Sequence, residues 1–322
     1  MFQKKIVFLH PFSNPLEMKK RHLFIASILA LVAIPLATSC GKDEPTDPIK
    51  EILDGFNEKG ASLAKFSISM YDQVHFSRGN LQYQASTGKW RFAPHQYDYI
   101  GTANNSISPS NSGWIDLYGW GTSGWDSSGA VAYRPFDTSI ISTRYGSGTS
   151  HLNGAKAKAD WAYRNPIQYG GDTTRYWRTL SAAEWRFLLT GRKNAVMKFG
   201  IATVNNVKGL VLLPDEWVVP DGVSFIAGIS DTVDFDYEYK NKFSATEWTS
   251  METAGAIFLP AAGCRTAMKT VDVDRYGYYW SSTSGTVDSM AQNLVFSTKK
   301  ILPDHLSNRH FGFCVRPVVD VR

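Results

Sequence analysis

The sequence predicts an α+β domain, and three observations carry this prediction. Two segments have the apolar spacing and the boundary residues of amphipathic helices. Several short segments around them show the alternation or the apolar runs of β-strands. Residues 102–150 are rich in Gly, Ser and Asn, which indicates long irregular loops. Two helices set among many short strands and long loops are typical of the α+β class.

The first strands begin at residue 65, in "KFSISMYDQVHFSRGNLQYQ". Apolar side chains recur at every second position, and this period of two predicts strands with one buried face. The alternation breaks at 71–73, where we expect a turn. The alternating residues are Phe66, Ile68 and Met70 before the turn, and Val74 and Phe76 after it.

The two helices are predicted to begin in the same way. Ser181 is followed three residues later by Glu184, and Ser244 by Glu247. Each pair is a capping box, in which Ser accepts a hydrogen bond from the N3 amide and Glu reaches back to the cap. Glycines at 191 and 255 should end the helices. The predicted apolar stripes are Trp185, Leu188 and Leu189 in the first helix, and Trp248, Met251 and Ala254 in the second.

Strands are expected again in the rest of the chain, at Leu210–Leu213, "AIFLPAAGCR", "MAQNLVFS" and "FGFCVRPVV". Cys264 lies in "AIFLPAAGCR" and Cys314 lies in "FGFCVRPVV". An exported protein can oxidise such cysteines to a disulfide, whereas buried free thiols pack as small apolar groups. The sequence leaves both alternatives open, because it does not give the separation of the two Cα atoms.

The N-terminus indicates export. "MKKRHLFIASILALVAIPLATSC" has a basic start, an apolar run and small residues before Cys40, which is typical of a signal peptide over residues 1–39. Met18 is a candidate for the true start. Cys40 is the candidate lipidation site, and acylation there would anchor the protein to a membrane rather than thread it through one. Residues 40–64 are predicted to form a flexible tether, and residues 65–322 one domain.

The net charge of +5 is concentrated in the predicted signal peptide. Removing that segment leaves a nearly neutral chain, which gives no support for a nucleic-acid partner. The sequence has no clustered Cys and His for zinc, no nucleophile elbow and no phosphate-binding loop. Asp231, Asp234 and Asp236 lack the spacing of a calcium loop and are predicted to form a solvated turn. We therefore predict no catalytic constellation, no metal and no cofactor.

Four blocks carry a family resemblance: "WRTLSAAEWRFLL", "FLPAAGCR", "YGYYWSST" and "RHFGFCVRPV". In this order they resemble the C-type-lectin-like domains related to formylglycine-generating (sulfatase-modifying) enzymes. Paralogous surface lipoproteins of Bacteroides and Fibrobacter are similar, and some relatives are variable target proteins of diversity-generating retroelements. The resemblance covers roughly residues 65–320. It implies a lectin-like fold with two main helices, short twisted sheets, long loops and neighbouring termini.

The resemblance implies a recognition domain rather than an enzyme. The related enzymes use a cysteine motif that Cys264 and Cys314 do not match, and the sugar-binding calcium triplets of true C-type lectins are missing. We expect a lipoprotein of the outer membrane that faces the cell exterior and binds a protein or glycan on another cell, phage or host. The "GKDE" after Cys40 is similar to an export signal of such lipoproteins. The alternatives are an enzyme of the formylglycine-generating type and a structural, fimbria-associated subunit.

By this resemblance, specificity lies in the C-terminal loops. In "DSMAQNLVFSTKK" the inward residues are predicted to be Ala291, Leu294 and Phe296, with a bulge near Gln292 and Asn293. Gln292, Asn293, Val295 and Ser297 should then face outward. The candidate ligand-binding residues are Asp274, Tyr276, Ser284, Thr286, Asp288, Gln292, Asn293, His305, Asn308 and His310.

Three further expectations concern large side chains near these loops. Trp280 is predicted to anchor the core, and Arg316 to pair with a carboxylate, for which Glu184 is the candidate. The aromatic loop Trp114, Tyr118, Trp120 and Trp125 either stacks on sugars or packs beneath the loops.

Overall fold

The computed structural model describes residues 54–125, 134–146, 148–229 and 241–322. All of them belong to one compact unit, Asp47–Arg322. The predicted signal peptide, Cys40 and the acidic residues Asp231, Asp234 and Asp236 lie outside the described residues. Within the described part of the chain, no helix combines the length and the apolar character needed to cross a membrane.

Short strands alternate with brief helices along the unit. The strands of the first part are β1 (Phe66–Ser67), β2 (Gln73–Phe76), β3 (Leu81–Gln84), β4 (Lys89–Phe92), β5 (Trp114–Ile115), β6 (Ile167–Gln168), β7 (Phe199–Val204) and β8 (Val207–Leu212). Those of the second part are β9 (Asn241–Phe243), β10 (Ile257–Pro260), β11 (Cys264–Thr266), β12 (Lys269–Val271), β13 (Gly277–Ser284), β14 (Met290–Phe296), β15 (Ile301–Asn308) and β16 (Val318–Asp320). The helices are α1 (Trp161–Arg164), α2 (Ala182–Arg186) and α3 (Ala245–Thr253). This mixture confirms the predicted α+β class.

The strands form small separate sheets. Their orders are β1-β2-β16, β5-β3-β4-β6, β10-β8-β7-β9, β11-β12 and β13-β14-β15. In the first of these, β16 runs antiparallel to β2, with Val318 opposite Phe76. The end of the chain is therefore joined to the start of the domain. β13, β14 and β15 form an antiparallel meander, which we call the C-terminal sheet.

Both predicted capping boxes are confirmed. Ser181 accepts a hydrogen bond from the Glu184 amide and Ser244 from the Glu247 amide, each at 3.2 Å. The first helix continues past α2 as a π-helical turn and ends at Gly191. After α3, Gly255 adopts a φ of +96°, which a side chain would resist, and the Ala256 amide reaches back to the Met251 carbonyl.

The core consists of three apolar clusters, and α2 and α3 contribute side chains to different ones. Trp185, Leu188 and Leu189 enter the first cluster together with Leu294 and Phe296 of the C-terminal sheet. Trp280 and Ala291 belong to the second cluster. Trp248 and Met251 lie in the third cluster. The inward residues Ala291, Leu294 and Phe296 are all buried, as predicted, and so is Trp280.

The predicted tether is too long at its C-terminal end. Phe56, Ala61 and Ser62 are buried, and Phe56 and Ser62 form a β-bridge. Ala61 forms another bridge with Ser77. Residues 56–62 are therefore packed onto the domain through buried side chains and backbone bridges, which composition alone does not predict.

Two predicted strands are also shorter than expected. β1 ends at Ser67, and Met70 is 79% exposed in the turn that follows. In "FGFCVRPVV" the residues Gly312, Phe313 and Cys314 form isolated bridges with three different segments, and a named strand begins only at Val318. The segment runs between sheets rather than along one, and Pro317 has no amide hydrogen to continue a ladder.

Candidate recognition surface

The C-terminal sheet carries most of the candidate ligand-binding residues, but it does not bring them together in one patch. β13 has eight residues, which separates its two ends by roughly 20–25 Å. The candidates fall into three groups along this length. Asp274 and Tyr276 lie at the start of β13; Gln292, Asn293 and His305 lie in the middle; Ser284, Thr286, Asp288, Asn308 and His310 lie at the end, where β13 turns into β14.

The last group forms what we call the turn end of the sheet. Thr286 and Asp288 are exposed in the connection between β13 and β14. Asn308 stands opposite Met290, so the end of β15 lies beside this connection. The turn end therefore presents polar side chains from two separate parts of the sequence.

Two loops from the middle of the chain contact the turn end through histidine–serine pairs. The His151 Nδ1 atom lies 3.1 Å from both the amide nitrogen and the Oγ of Ser284. On the β15 side, Ser142 Oγ and His310 Nδ1 are 2.6 Å apart. Ser284 is 4% exposed, so it supports the surface rather than presenting itself to a ligand. Burial lowers the pKa of His310, which favours the neutral imidazole in this contact.

A buried arginine holds the turn end in place. Arg309 is fully buried and its guanidinium lies over the Trp120 ring at 4.3 Å. It donates hydrogen bonds to the carbonyls of Met290 (2.9 Å), Tyr145 (3.1 Å) and Gly148 (2.7 Å). Burial lowers its pKa to about 10, so the group stays charged at neutral pH. One side chain thus ties β14 to the loop that also carries Ser142 and Thr149.

Sequence reasoning did not identify Arg309 as a functional residue. It is the only arginine or lysine in "SNRHFGF", a segment whose neighbours were assigned to loops and strand. An arginine beside a predicted core strand could have indicated a residue that joins several segments, because a buried guanidinium needs several hydrogen-bond acceptors. Arg265 follows the same pattern: it is fully buried and donates to the carbonyls of Leu117, Ala267 and Asp137.

The opposite end of the C-terminal sheet, at the start of β13, is separate from the turn end. Lys300 Nζ lies 5.5 Å from the centre of the Tyr276 ring, a cation–π contact. Asp274 adopts a left-handed φ of +61°, and its amide donates to the Ala261 carbonyl at 2.8 Å. Its carboxylate lies 3.4 Å from the Tyr99 hydroxyl. These residues shape a turn, and the length of β13 separates them from Thr286 and Asp288.

The predicted outward orientation of Asn293, Val295 and Ser297 is wrong. All three are buried, and the Oδ1 atom of the fully buried Asn293 has no hydrogen-bond partner among the described residues. The reason is that a core cluster lies on each side of the sheet: Leu294 and Phe296 face the first cluster, whereas Trp280 and Tyr278, the cross-strand partners of Asn293 and Val295, pack in or against the second. Both faces of β14 are therefore covered. In this group Gln292 is half-buried and His305, on the edge strand, is exposed.

The predicted bulge is present, but its extra residues lie in the neighbouring strands. The register shifts between Trp280 and Ser284 on one side of β14, and between Asn293 and Val295 on the other. Trp280 pairs with Asn293 and Ser284 with Ala291, so β13 holds the surplus residues there. The irregularity widens the sheet beside the turn end.

The predicted partner of Arg316 is wrong as well. Arg316 is 1% exposed and donates to the carbonyls of Ser77 (3.0 Å) and Phe258 (3.1 Å) and to Gln96 Oε1 (2.6 Å). Glu184 instead receives two hydrogen bonds from Arg178, at 3.0 and 2.8 Å. Arg178 also binds Asp320, which links α2 to the end of the chain. The sequence alone does not show which arginine, Arg178 or Arg316, pairs with Glu184; only the fold decides this.

The rings of the aromatic loop pack against other side chains of the domain and do not form an exposed stacking surface. Tyr118 and Trp120 are fully buried. The Arg91 guanidinium covers the Trp114 ring at 3.9 Å, and Lys158 Nζ lies 5.8 Å from the Trp125 ring. The packing alternative therefore describes this loop.

The two cysteines of the domain are buried free thiols rather than a disulfide. Cys314 lies in the first core cluster and Cys264 in the second. Burial raises the pKa of Cys264 to about 12 and raises the pKa of Cys314 well above its ordinary value. A nucleophilic or metal-binding cysteine needs the thiolate, which these surroundings disfavour. Across the described ranges, no group of three or more Cys, His, Asp or Glu side chains is arranged to hold a metal ion.

Comparison with known proteins identified no related protein. No protein-family model, no curated protein and no solved structure matches the chain. The surface described above therefore rests on its own geometry.

Proposed function

We propose that this chain is a lipid-anchored protein of the outer membrane that recognises a protein or glycan ligand outside the cell. The anchor would be Cys40, and the turn end of the C-terminal sheet would contact the ligand. The proposed fold is C-type-lectin-like, as in the domains related to formylglycine-generating enzymes. The pairing of β16 with β2 supports this proposal, because it brings together the two ends of the domain, as the resemblance implies.

The observation that carries the proposal is the contrast between the turn end and its support. Thr286 and Asp288 are exposed, whereas Arg309 and Ser284 beneath them are buried and hydrogen-bonded to several loops. A fixed frame beneath exposed polar residues suits binding, because little conformational freedom is lost when a ligand is bound. Such a surface also tolerates changes at its exposed positions.

The formylglycine-generating alternative has less support. That chemistry would require a reactive cysteine, and the thiols of Cys264 and Cys314 are buried with raised pKa values. No feature of the described residues favours a fimbrial role over a receptor.

Binding is tested with Asp288→Arg on glycan and protein arrays. We expect the parent chain to bind at least one arrayed ligand and Asp288→Arg to bind it at least about tenfold more weakly, because a reversed charge at the contact repels what the carboxylate attracted. The matched control is Asp221→Arg, an exposed aspartate elsewhere in the domain, which should bind as the parent does. A parent chain that binds nothing on either array, or an Asp288→Arg variant that binds normally, contradicts the proposal.

Anchoring is tested separately with Cys40→Ala. The parent should incorporate labelled fatty acid and remain with the membrane fraction, and the variant should do neither. Protease treatment of intact cells then reports whether the domain faces outward. Labelling of the variant at the parent level would refute Cys40 as the anchor.

A further inference from the structure

A cavity beside α3 has no role in the recognition surface. It encloses about 390 Å³, which is at the small end of the range of ligand sites, about 300–1,000 Å³. One face of α3, the segment 95–97 and the start of the domain surround it. Its lining consists of Asp54, His95, Tyr97, Ala245, Thr246, Trp248, Thr249, Ser250 and Glu252.

The side formed by segment 95–97 is aromatic and held in place. The His95 and Tyr97 rings stack with centres 4.9 Å apart and planes only 8° from parallel. His95 Nδ1 lies 3.0 Å from the Asp98 carboxylate, so Nε2 is the ring nitrogen left for a ligand. Tyr97 packs against the third core cluster. These contacts fix the two rings before any ligand arrives.

The opposite side supplies hydrogen-bonding groups. Glu252 is 7% exposed at the base of the cavity, where burial raises its pKa. Asp54 is exposed at the rim, and Thr246, Thr249 and Ser250 add hydroxyls along α3. Thr249 Oγ1 donates its own hydrogen to the Ala245 carbonyl at 3.0 Å, so towards a ligand it acts as an acceptor. This side of the cavity therefore supplies several hydrogen-bond acceptors.

We infer that this cavity binds one sugar ring, the terminal residue of a glycan. A pyranose has an apolar face that fits the aromatic side and several hydroxyl donors that suit two carboxyl groups. An anionic ligand would be repelled by Asp54 and by Glu252 in its ionised form. The volume suits one ring rather than a longer stretch of glycan. The site shares no residue with the turn end of the C-terminal sheet, so the inference does not rest on the proposed function.

The test uses the purified full chain in detergent, with glucose, galactose, mannose, N-acetylglucosamine and N-acetylgalactosamine as probes in saturation-transfer NMR and calorimetry. Butylamine serves as a purely cationic probe. At least one sugar should bind saturably in the millimolar range or tighter. Failure of every sugar to saturate, or saturation by butylamine alone, would overturn the inference; the latter would make this a cation site.

Two variants at exposed positions locate the binding. Thr249→Trp places an indole in the cavity and should abolish the sugar signal, whereas Thr253→Trp on the same helix, outside the lining, should leave it unchanged. Asp54→Asn should weaken binding by about tenfold, since a charge-assisted hydrogen bond becomes a neutral one. Parent-like urea midpoints confirm that the variants are folded. Normal binding by Thr249→Trp, or loss of sugar binding in Asp288→Arg, would refute this location.

Discussion

Helices α2 and α3 begin with nearly the same sequence, "SAAEW" and "SATEW", and yet they have different surroundings. Both form a capping box and both bury the following tryptophan, whose Nε1 atom in each case has no hydrogen-bond partner within the described part of the chain. α2 lies against β13, β14 and β15, whereas α3 packs on β9 and borders the cavity. One local motif thus places a tryptophan in the first core cluster in one case and beside the candidate sugar site in the other.

The two carboxylates of the boxes differ in the same way. Glu184 is 21% exposed and pairs with Arg178, which also binds Asp320. Glu247 is exposed, and its carboxylate accepts hydrogen bonds from the amide and the hydroxyl of Ser244. The same residue type therefore has a local role in α3 and an additional tertiary role in α2.

The largest expected effect comes from truncating the two tryptophans. Trp185→Ala and Trp248→Ala should each lower the free energy of unfolding by about 3–5 kcal/mol. Trp185→Ala should lie at the upper end, because it leaves a closed void, whereas the space left by Trp248→Ala joins an existing cavity that water can enter. Urea unfolding of both variants measures the difference. A larger loss in Trp248→Ala would break the comparison.

The next effect concerns the carboxylates. Glu184→Gln should cost about 1–2 kcal/mol of unfolding free energy, since a partly exposed charged pair with Arg178 is lost. Glu247→Gln should cost clearly less. A double-mutant cycle of Glu184→Gln with Arg178→Met isolates the pair, and a coupling energy near zero would show that the contact adds no stability.

The serines should behave alike. Ser181→Ala and Ser244→Ala each remove one cap and should each cost about 1 kcal/mol, because the lost hydrogen bond to the N3 amide is the same. Equal losses would sharpen the view that the motif acts locally. A distinctly larger loss at Ser181 would mean that the surroundings of α2 also depend on the cap.

The smallest effect is a pH dependence on the α3 side. The hydrogen bond with Asp98 raises the pKa of His95. Protonated His95 therefore adds stability at pH values below about 6.5, and this stability is lost as pH rises through the raised pKa of the folded state. In Asp98→Asn the pKa should return towards its ordinary value, which NMR titration of the His95 ring protons measures. An unchanged titration would remove Asp98 as the cause.

For Arg178, the partner of Glu184 in α2, no such titration is expected near neutral pH. Burial lowers the pKa of Arg178, but hydrogen bonds with Asp320 and Glu184 outweigh this effect and raise it. The guanidinium therefore keeps its charge over the range in which His95 changes. The two helices should differ in pH response as well as in packing.

Local patterns predicted much of the fold. The capping boxes, the glycine stops, the buried Trp280 and the inward set Ala291, Leu294 and Phe296 followed from spacing alone. The same alternation failed for Asn293, Val295 and Ser297. A period of two identifies the two faces of a strand, but it does not reveal that the second core cluster covers the face of Asn293 and Val295.

The candidate site was predicted only in part. The sequence pointed to the C-terminal segments, and Thr286 and Asp288 are exposed there. It did not show that β13 separates Asp274 and Tyr276 from Thr286 and Asp288. It also did not show that Arg309 connects the turn end to neighbouring loops by hydrogen bonds. The role of Arg309 depends on contacts between residues more than a hundred positions apart, such as Arg309 with Tyr145.

By itself, the sequence determined the fold class, both helix starts, the inward strand positions and the predicted export signal, because each depends on residues close together in the chain. Tertiary structure alone decided which carboxylate meets Arg178, which polar residues of β14 are buried, and that a cavity with an aromatic side opens beside α3. Hydrogen-bonding caps and alternation act over a few residues. Burial and ion pairing depend on which distant segment covers a side chain.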